Sequence, residues 1–247
     1  MKTRVFTVLS ILLVQVSQVY AQVNIAGQDS SRRVITTAVP FLMIAPDARA
    51  GAMGDVGTAT SPDANTTHWN IGKLAFIKND YGFSLSHTPW LSKIINDMSL
   101  TYLSGYYKIN REQTVAFSMN YFDLGDINFT DDNNNSLGDF NPREVAISGS
   151  YSRLLSEEMS VGVSLKCIHS NLTGNVLSNT QDAQPGMSIA ADIGWYWTKD
   201  LGRNSHLSIG SAINDIGNKI TYTNDEQKDF IPTTFPLGSA YKLDLDP

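Results

Sequence analysis

The sequence is poor in the features on which several classes of protein depend. It contains one cysteine, Cys167, so an internal disulfide framework is excluded. Cys167 lies within an alternating apolar set, which predicts that it packs as a small buried hydrophobe. Beyond Ala21, no apolar run approaches the roughly 18 residues that a membrane-spanning helix requires. Any membrane-spanning elements are therefore expected to be strands.

Catalytic and metal-binding motifs are also scarce. The histidines lack zinc-ligand spacing such as H-E-x-x-H and suggest no catalytic base; they are His68, His87, His169 and His206. The acidic run at 131–136 fails the calcium-loop pattern because Ser136 stands where glycine is needed and Pro142 where a bidentate glutamate is needed. No G-x-S-x-G elbow occurs, although a surface hydrolase using a strand-borne Ser and His stays open. The sequence predicts a non-enzyme without a cofactor or metal.

The first residues predict a secretory signal peptide over 1–21. Lys2 and Arg4 form its basic region, Val5–Val16 its apolar region, and Val19-Tyr20-Ala21 its cleavage site. Removing Lys2 and Arg4 from the 18 basic residues leaves 16 against 24 acidic ones, a net charge of −8. Such an acidic mature protein is a poor candidate for nucleic-acid binding.

From Tyr81 onward, the sequence alternates apolar and polar residues in about eight segments of roughly ten residues each, as strands between two different media do. In the clearest segment, Met159, Val161, Val163, Leu165 and Cys167 alternate with Ser160, Gly162, Ser164 and Lys166. The polar set consists mostly of small residues in the other segments as well, which suits a crowded barrel interior. A secreted β-sandwich would also alternate, but its outer face usually carries many long charged side chains.

The connections alternate in length, which supports a barrel over a sandwich. Short connections are predicted at 108–113, 154–158 and 199–205, and long polar ones at 125–143, 170–186 and 215–235. The fold class predicted is therefore all-β, a transmembrane antiparallel β-barrel. The last strand carries Leu237, Tyr241, Leu243 and Leu245, and the sequence then stops without a closing segment. We interpret residues 81–247 as a barrel truncated after about eight strands.

Residues 22–80 are different in kind, because they lack this alternation and carry a Gly/Ala-rich stretch at 48–57. We predict that this segment, called the hatch below, forms a plug in the lumen or on the periplasmic side of a barrel at 81–247. Its glycines allow tight turns and close backbone approach.

The hatch sequence carries a family resemblance. Residues 45–57 read APDARAGAMGDVG, and SPDAN at 61–65 and HWN at 68–70 follow. Together they resemble the PorV family of outer-membrane proteins of the type IX secretion system, within the wider group of FadL-like barrels. One departure is Asn70-Ile71-Gly72, where the family commonly has Asn-Pro.

The resemblance implies a non-catalytic role at the bacterial outer membrane. Proteins of this family bind secreted cargo through its C-terminal β-domain and carry it from the translocon to the surface attachment complex. The expected partners are therefore secreted proteins, the translocon, the attachment machinery and membrane lipid. Long polar loops and strand edges could supply a recognition surface. The alternatives are a FadL-like channel for a hydrophobic solute and, less favoured, an outer-membrane enzyme acting on lipid. Which residues bind substrate is unknown from the sequence.

Two charged pairs yield hypotheses. Lys166 and Asp192 fall on the predicted lumen face, where they could pair with one another or tune passage through the barrel. Arg49 and Asp47 in the hatch could latch it to the barrel wall. The first pair is interpreted chiefly as satisfied interior polar groups.

Overall fold

A computed structural model of the chain describes residues 37–94, 97–130, 136–172, 184–202, 204–222 and 228–243. All of them belong to one compact unit, Thr36–Pro247, which includes the strands and the part of the hatch that is described. The predicted signal peptide lies outside the described residues. None of the helices within the described ranges is long and apolar enough to cross a membrane.

Among the described residues, helical structure is confined to the hatch, where short turns dominate because of its Gly, Pro and Asp content. The helices are two 3-10 helices, Pro40–Met43 and Ile71–Phe76, and two α-helices, α1 (Ala48–Ala52) and α2 (Thr66–Trp69). Asp47 begins α1, with its carboxylate accepting a hydrogen bond from the Ala50 N–H at 2.8 Å.

Strands make up most of the remainder, and their bounds follow the predicted alternation. They are β1 (Tyr81–Pro89), β2 (Ser99–Lys108), β3 (Gln113–Asp123), β4 (Ile127–Thr130), β5 (Ser136–Phe140), β6 (Arg143–Leu154), β7 (Met159–Asn171), β8 (Gly186–Gly202), β9 (Ser205–Gly217) and β10 (Leu237–Leu243). Leu245, which was predicted to continue the last strand, lies outside the described residues.

Eight of these strands form one antiparallel sheet in the order β1-β2-β3-β6-β7-β8-β9-β10, which curls into a half-barrel. The all-β prediction is confirmed. The connection at 125–143, predicted as a loop, contains the additional hairpin β4-β5, in which Ile127 pairs with Phe140. This hairpin could not be predicted from its polar, Asn/Asp-rich sequence, because apolar and polar residues alternate only over short stretches on either side of its tip.

The connections alternate in length as predicted. The strand ends joined by 109–112, 155–158 and 203–204 lie at one end of the sheet, the short-turn end. The strand ends joined by 90–98, 124–142, 172–185 and 218–236 lie at the other, the long-connection end. In β7 the even-numbered residues face the concave side and the odd-numbered ones the convex side. Ser164 is 3% exposed, whereas Leu165 is 69% exposed. The hatch packs on the concave face against β3, β6, β7, β8 and β9.

Candidate functional site

The candidate site is the interface between the hatch and the concave face, and Asn70 lies at its centre. The Asn70 side chain is fully buried and begins the 3-10 helix Ile71–Phe76, since its Oδ1 accepts from the Gly72 N–H at 3.0 Å. Its Nδ2 donates to the carbonyl of Thr58 at 3.0 Å and to that of Trp195 in β8 at 2.9 Å. One amide therefore joins two parts of the hatch to the sheet.

Gly72 forms the second connection to the sheet. Its carbonyl oxygen accepts hydrogen bonds from the hydroxyl of Ser160 at 2.6 Å and from that of Ser152 at 3.1 Å. Both serines are fully buried. Two serines of the concave face are thus donors to hatch backbone, which satisfies their hydroxyls although both residues are buried.

Glycines on the concave face provide room for this close approach. A Cβ atom at Gly162 in β7 would lie 2.5 Å from the Ile71 side chain, and one at Gly194 in β8 would lie 2.4 Å from Asn70 Oδ1 and 2.8 Å from the Gly72 nitrogen. All three distances are far below van der Waals contact. Any larger residue at these positions would displace the hatch backbone from the sheet.

Lys73 is a buried cation within the hatch, with a residue exposure of 1%. Its Nζ donates to the carbonyl of Gly57 at 2.6 Å and to Thr60 Oγ1 at 3.3 Å. Burial lowers the pKa of Lys73 from 10.5 to about 8, although Asp63 acts in the opposite direction. The ammonium thus ties the Gly57–Thr60 turn to the 3-10 helix at a cost in desolvation.

A buried ion cluster lies nearer the long-connection end. Lys166 Nζ in β7 is 3.4 Å from Asp192 Oδ2 in β8, and it also pairs with Asp215 in β9. The pairing of Lys166 with Asp192 predicted from the sequence is therefore confirmed. Asp215 is an addition that the sequence did not indicate, because the prediction placed it in a connection, whereas β9 extends through Gly217.

The long-connection end of the concave face is closed by an apolar cluster. Val39, Phe41 and Leu42 of the hatch pack among buried side chains from the strands and from the connection at 218–236; those side chains are Leu100, Phe122, Ala146, Ile168, Ala190, Ile220 and Ile231. The Ala38 N–H donates to the Phe230 carbonyl at 2.9 Å, so the hatch also pairs with that connection. The hatch is consequently attached near both ends of the strands.

Residues 27–247 match the model of the family described as type IX secretion system protein PorV, which is nearly the whole chain. The chain belongs to the PorV family. It is accordingly a component of the type IX secretion system, which implies interactions with secreted cargo and with other components of that system. No curated protein matches the sequence at a significant level.

In this PorV-family chain the predicted latch of Arg49 and Asp47 is wrong. Arg49 pairs with Asp63 at 2.6 Å and donates to Ser61 Oγ at 2.7 Å, and Asp47 accepts from Trp69 Nε1 at 2.9 Å. These contacts lie inside the hatch. They brace it, whereas the uncharged Asn70 and Gly72 bond it to β6, β7 and β8, where the sheet offers hydroxyls and a carbonyl as partners.

The interpretation of Cys167 as a buried packing residue is also wrong, because the residue is exposed. Its alternating set was identified correctly, but that set covers the convex face. The sequence alone does not indicate which of the two alternating faces is covered. In a water-soluble sheet the apolar face is the buried one, whereas in this protein the polar face is buried.

The histidines occupy unrelated places. His68 lies in α2, where burial and nearby Lys166 lower its pKa to about 3, so the imidazole is neutral at physiological pH. His87 in β1 contacts Thr101 Oγ1 at 2.8 Å, while His169 and His206 lie in β7 and β9. Within the described ranges, no group of three or more His, Cys, Asp or Glu residues could hold a metal ion. Residues 131–135 of the acidic run lie outside those ranges.

Proposed function

We propose that this PorV-family protein is a cargo carrier in the bacterial outer membrane. It would bind secreted proteins through their C-terminal signal domain and shuttle them from the translocon to the surface attachment complex. In this proposal, residues 1–21 are the signal peptide, 22–80 the hatch and 81–247 barrel strands. The family match is the observation that carries the proposal.

The distribution of polarity over the sheet supports a membrane location. The middle of the convex face exposes Val163 by 50%, Leu165 by 69% and Ile189 by 59%. Outward apolar and inward small polar residues are the alternation of strands that face lipid on one side. Water would be an unfavourable solvent for such a surface, because large contiguous apolar patches are rare on soluble monomers.

The filled concave face supports a carrier over a solute channel. A channel would need the hatch to leave its place, yet Asn70 and Gly72 bond directly to β6, β7 and β8, and the hatch contributes to apolar clusters nearer both ends of the strands. Partner recognition then falls to the long connections, which a rigid scaffold holds in place. The FadL-like alternative is therefore not favoured.

The test is affinity purification of the tagged full-length protein from outer membranes, followed by mass spectrometry. A matched variant would lack the hairpin residues 127–140 but keep every strand of the large sheet. The expected result is recovery of secreted proteins that share a C-terminal β-domain with the wild type, and less of them with the variant. Recovery of bound lipid or fatty acid without any protein partner would contradict the proposal.

A further inference from the structure

The ion cluster of Lys166, Asp192 and Asp215 coincides with an irregularity in the sheet. The pairing of β8 with β9 shifts register between Ala191 and Ile193, so Asp192 stands at the shift. Asp215 has a φ of 60°, a left-handed conformation that residues other than glycine rarely adopt. Bulges and such backbone conformations persist where surrounding contacts hold them.

Contacts of the N–H, the carboxylate and the carbonyl of Asp215 hold this conformation. Its N–H donates to Asp192 Oδ1 at 2.7 Å, and its carboxylate pairs with Lys166. Its carbonyl accepts from Thr233 Oγ1 at 2.8 Å. Asp215 thus links the interior cluster to the returning half of the connection at 218–236.

The neighbouring backbone strengthens this link. Asn214 and Thr234 exchange two N–H···O hydrogen bonds of 2.9 and 3.1 Å, and the Ala212 N–H donates to the Pro236 carbonyl at 3.1 Å. The geometry of β9 at Asp215 therefore sets the direction in which residues 233–236 leave the sheet.

Two aromatic rings are presented by this part of the connection. Phe230 is 52% exposed, with Lys219 Nζ 4.0 Å from its ring centroid, and Phe235 is 68% exposed. Exposed aromatic residues on a braced backbone are suited to protein contacts, because little conformational entropy is lost when they bind.

We propose that Lys166, Asp192 and Asp215 are positioning residues, which hold residues 228–236 in the orientation that presents Phe230 and Phe235 to secreted cargo. The interior charges thus serve recognition at the long-connection end instead of passage through the lumen. This inference rests on the proposed carrier function, because that function supplies the secreted cargo as the partner.

The experiment uses the full chain with Cys167→Ser and a spin label on Phe235→Cys, in lipid vesicles. Asp215→Asn removes the carboxylate charge but keeps a residue type that tolerates the left-handed conformation. Thr233→Val removes the contact on the connection side and leaves the buried charges intact. Glu158→Gln is the matched control, because it breaks an exposed ion pair with Lys199 of 3.2 Å at the short-turn end.

The label should become more mobile in Asp215→Asn and, to a smaller extent, in Thr233→Val, while Glu158→Gln leaves it unchanged. Hydrogen exchange at the amides of 233–235 should accelerate roughly tenfold in Asp215→Asn, as expected for loss of a charge-assisted contact. Unchanged mobility in both variants overturns the inference, and Thr233→Val keeps the test decisive if Asp215→Asn does not fold.

Cargo recovery from cells is measured with the same substitutions in the tagged protein without the spin label. A lower recovery with Asp215→Asn at equal membrane abundance supports the inference, whereas a loosened connection with unchanged recovery overturns the presentation role. If the wild type recovers no secreted protein, the carrier proposal fails on its own, and the label still decides whether the cluster positions the connection.

Discussion

The two faces of the half-barrel reverse the arrangement of a water-soluble sheet. On the concave face of β7, Ser160 and Ser164 are buried, and Lys166 has only 17% of its side chain exposed. On the convex face of the same strand, Val163 and Leu165 are at least half exposed. The polar face is thus covered and the apolar face is open, although both belong to the same strand.

The hatch explains how the polar face can be buried at acceptable cost. Its backbone turns leave carbonyl groups that need partners, and the serines of the sheet provide them for Gly72. An apolar concave face would leave the same hatch groups unpaired, at a cost of about 1 to 3 kcal/mol each. Polarity inside and apolarity outside therefore have separate causes, namely the hatch and the surrounding medium.

The largest expected effect comes from charging the convex face. Leu165→Arg places a guanidinium midway along β7 and should lower the free energy of unfolding by about 2 to 4 kcal/mol in lipid vesicles, since a cation near the bilayer midplane is poorly solvated. Leu155→Arg is the control, because Leu155 is also exposed, by 53%, but lies in a short turn. Urea unfolding of both variants is the measurement. Equal costs would argue against a lipid-facing convex surface.

The concave face can be disturbed with a single methyl group. Gly194→Ala would place Cβ against Asn70 and the Gly72 nitrogen, and overpacking of this kind should cost about 1 to 3 kcal/mol. Gly149→Ala is the matched control, because a Cβ there meets nothing within 4 Å. Unfolding and hydrogen exchange of residues 58–77 would report the change. Exchange that stays as slow as in the wild type would mean that Asn70 and Gly72 do not hold the hatch.

The two faces also show which features of the fold and of the site can be predicted from the sequence. Alternation predicted the strands and the two residue sets, and connection lengths predicted the two ends, because both depend on local chain geometry. The placing of Asn70, Gly194 and Asp215 depends on the close approach of segments distant in sequence, and a lone Asn, Gly or Asp carries no local sign of it. The charge of Arg49 suggests a latch from the sequence, whereas in the structure the uncharged Asn70 makes the bond to the sheet.

A smaller effect is expected from pH, through Lys73 in the hatch. Folding lowers its pKa from 10.5 to about 8, so between these values the unfolded chain binds more protons and stability rises with pH. From about pH 7.5 to about pH 9 the gain should be about 1 kcal/mol relative to Lys73→Met, in which this titration is lost. Urea unfolding of both proteins across this range tests the sign. A parallel pH dependence would contradict burial of the charged amine.

The smallest effect is expected for Arg49→Ala. The ion pair of Arg49 with Asp63 has side-chain exposures of 46% and 34%, and water screens such pairs, so the loss should be about 0.5 kcal/mol. Asn70→Ala, with a fully buried amide, should cost about 2 kcal/mol, because the carbonyls of Thr58 and Trp195 would lose a donor. Limited proteolysis of the hatch ranks the two variants directly. If Arg49→Ala released the hatch more readily than Asn70→Ala, attachment of the hatch would depend on the ion pair. The contrast between a charged brace within the hatch and a neutral bond to the sheet would then be wrong.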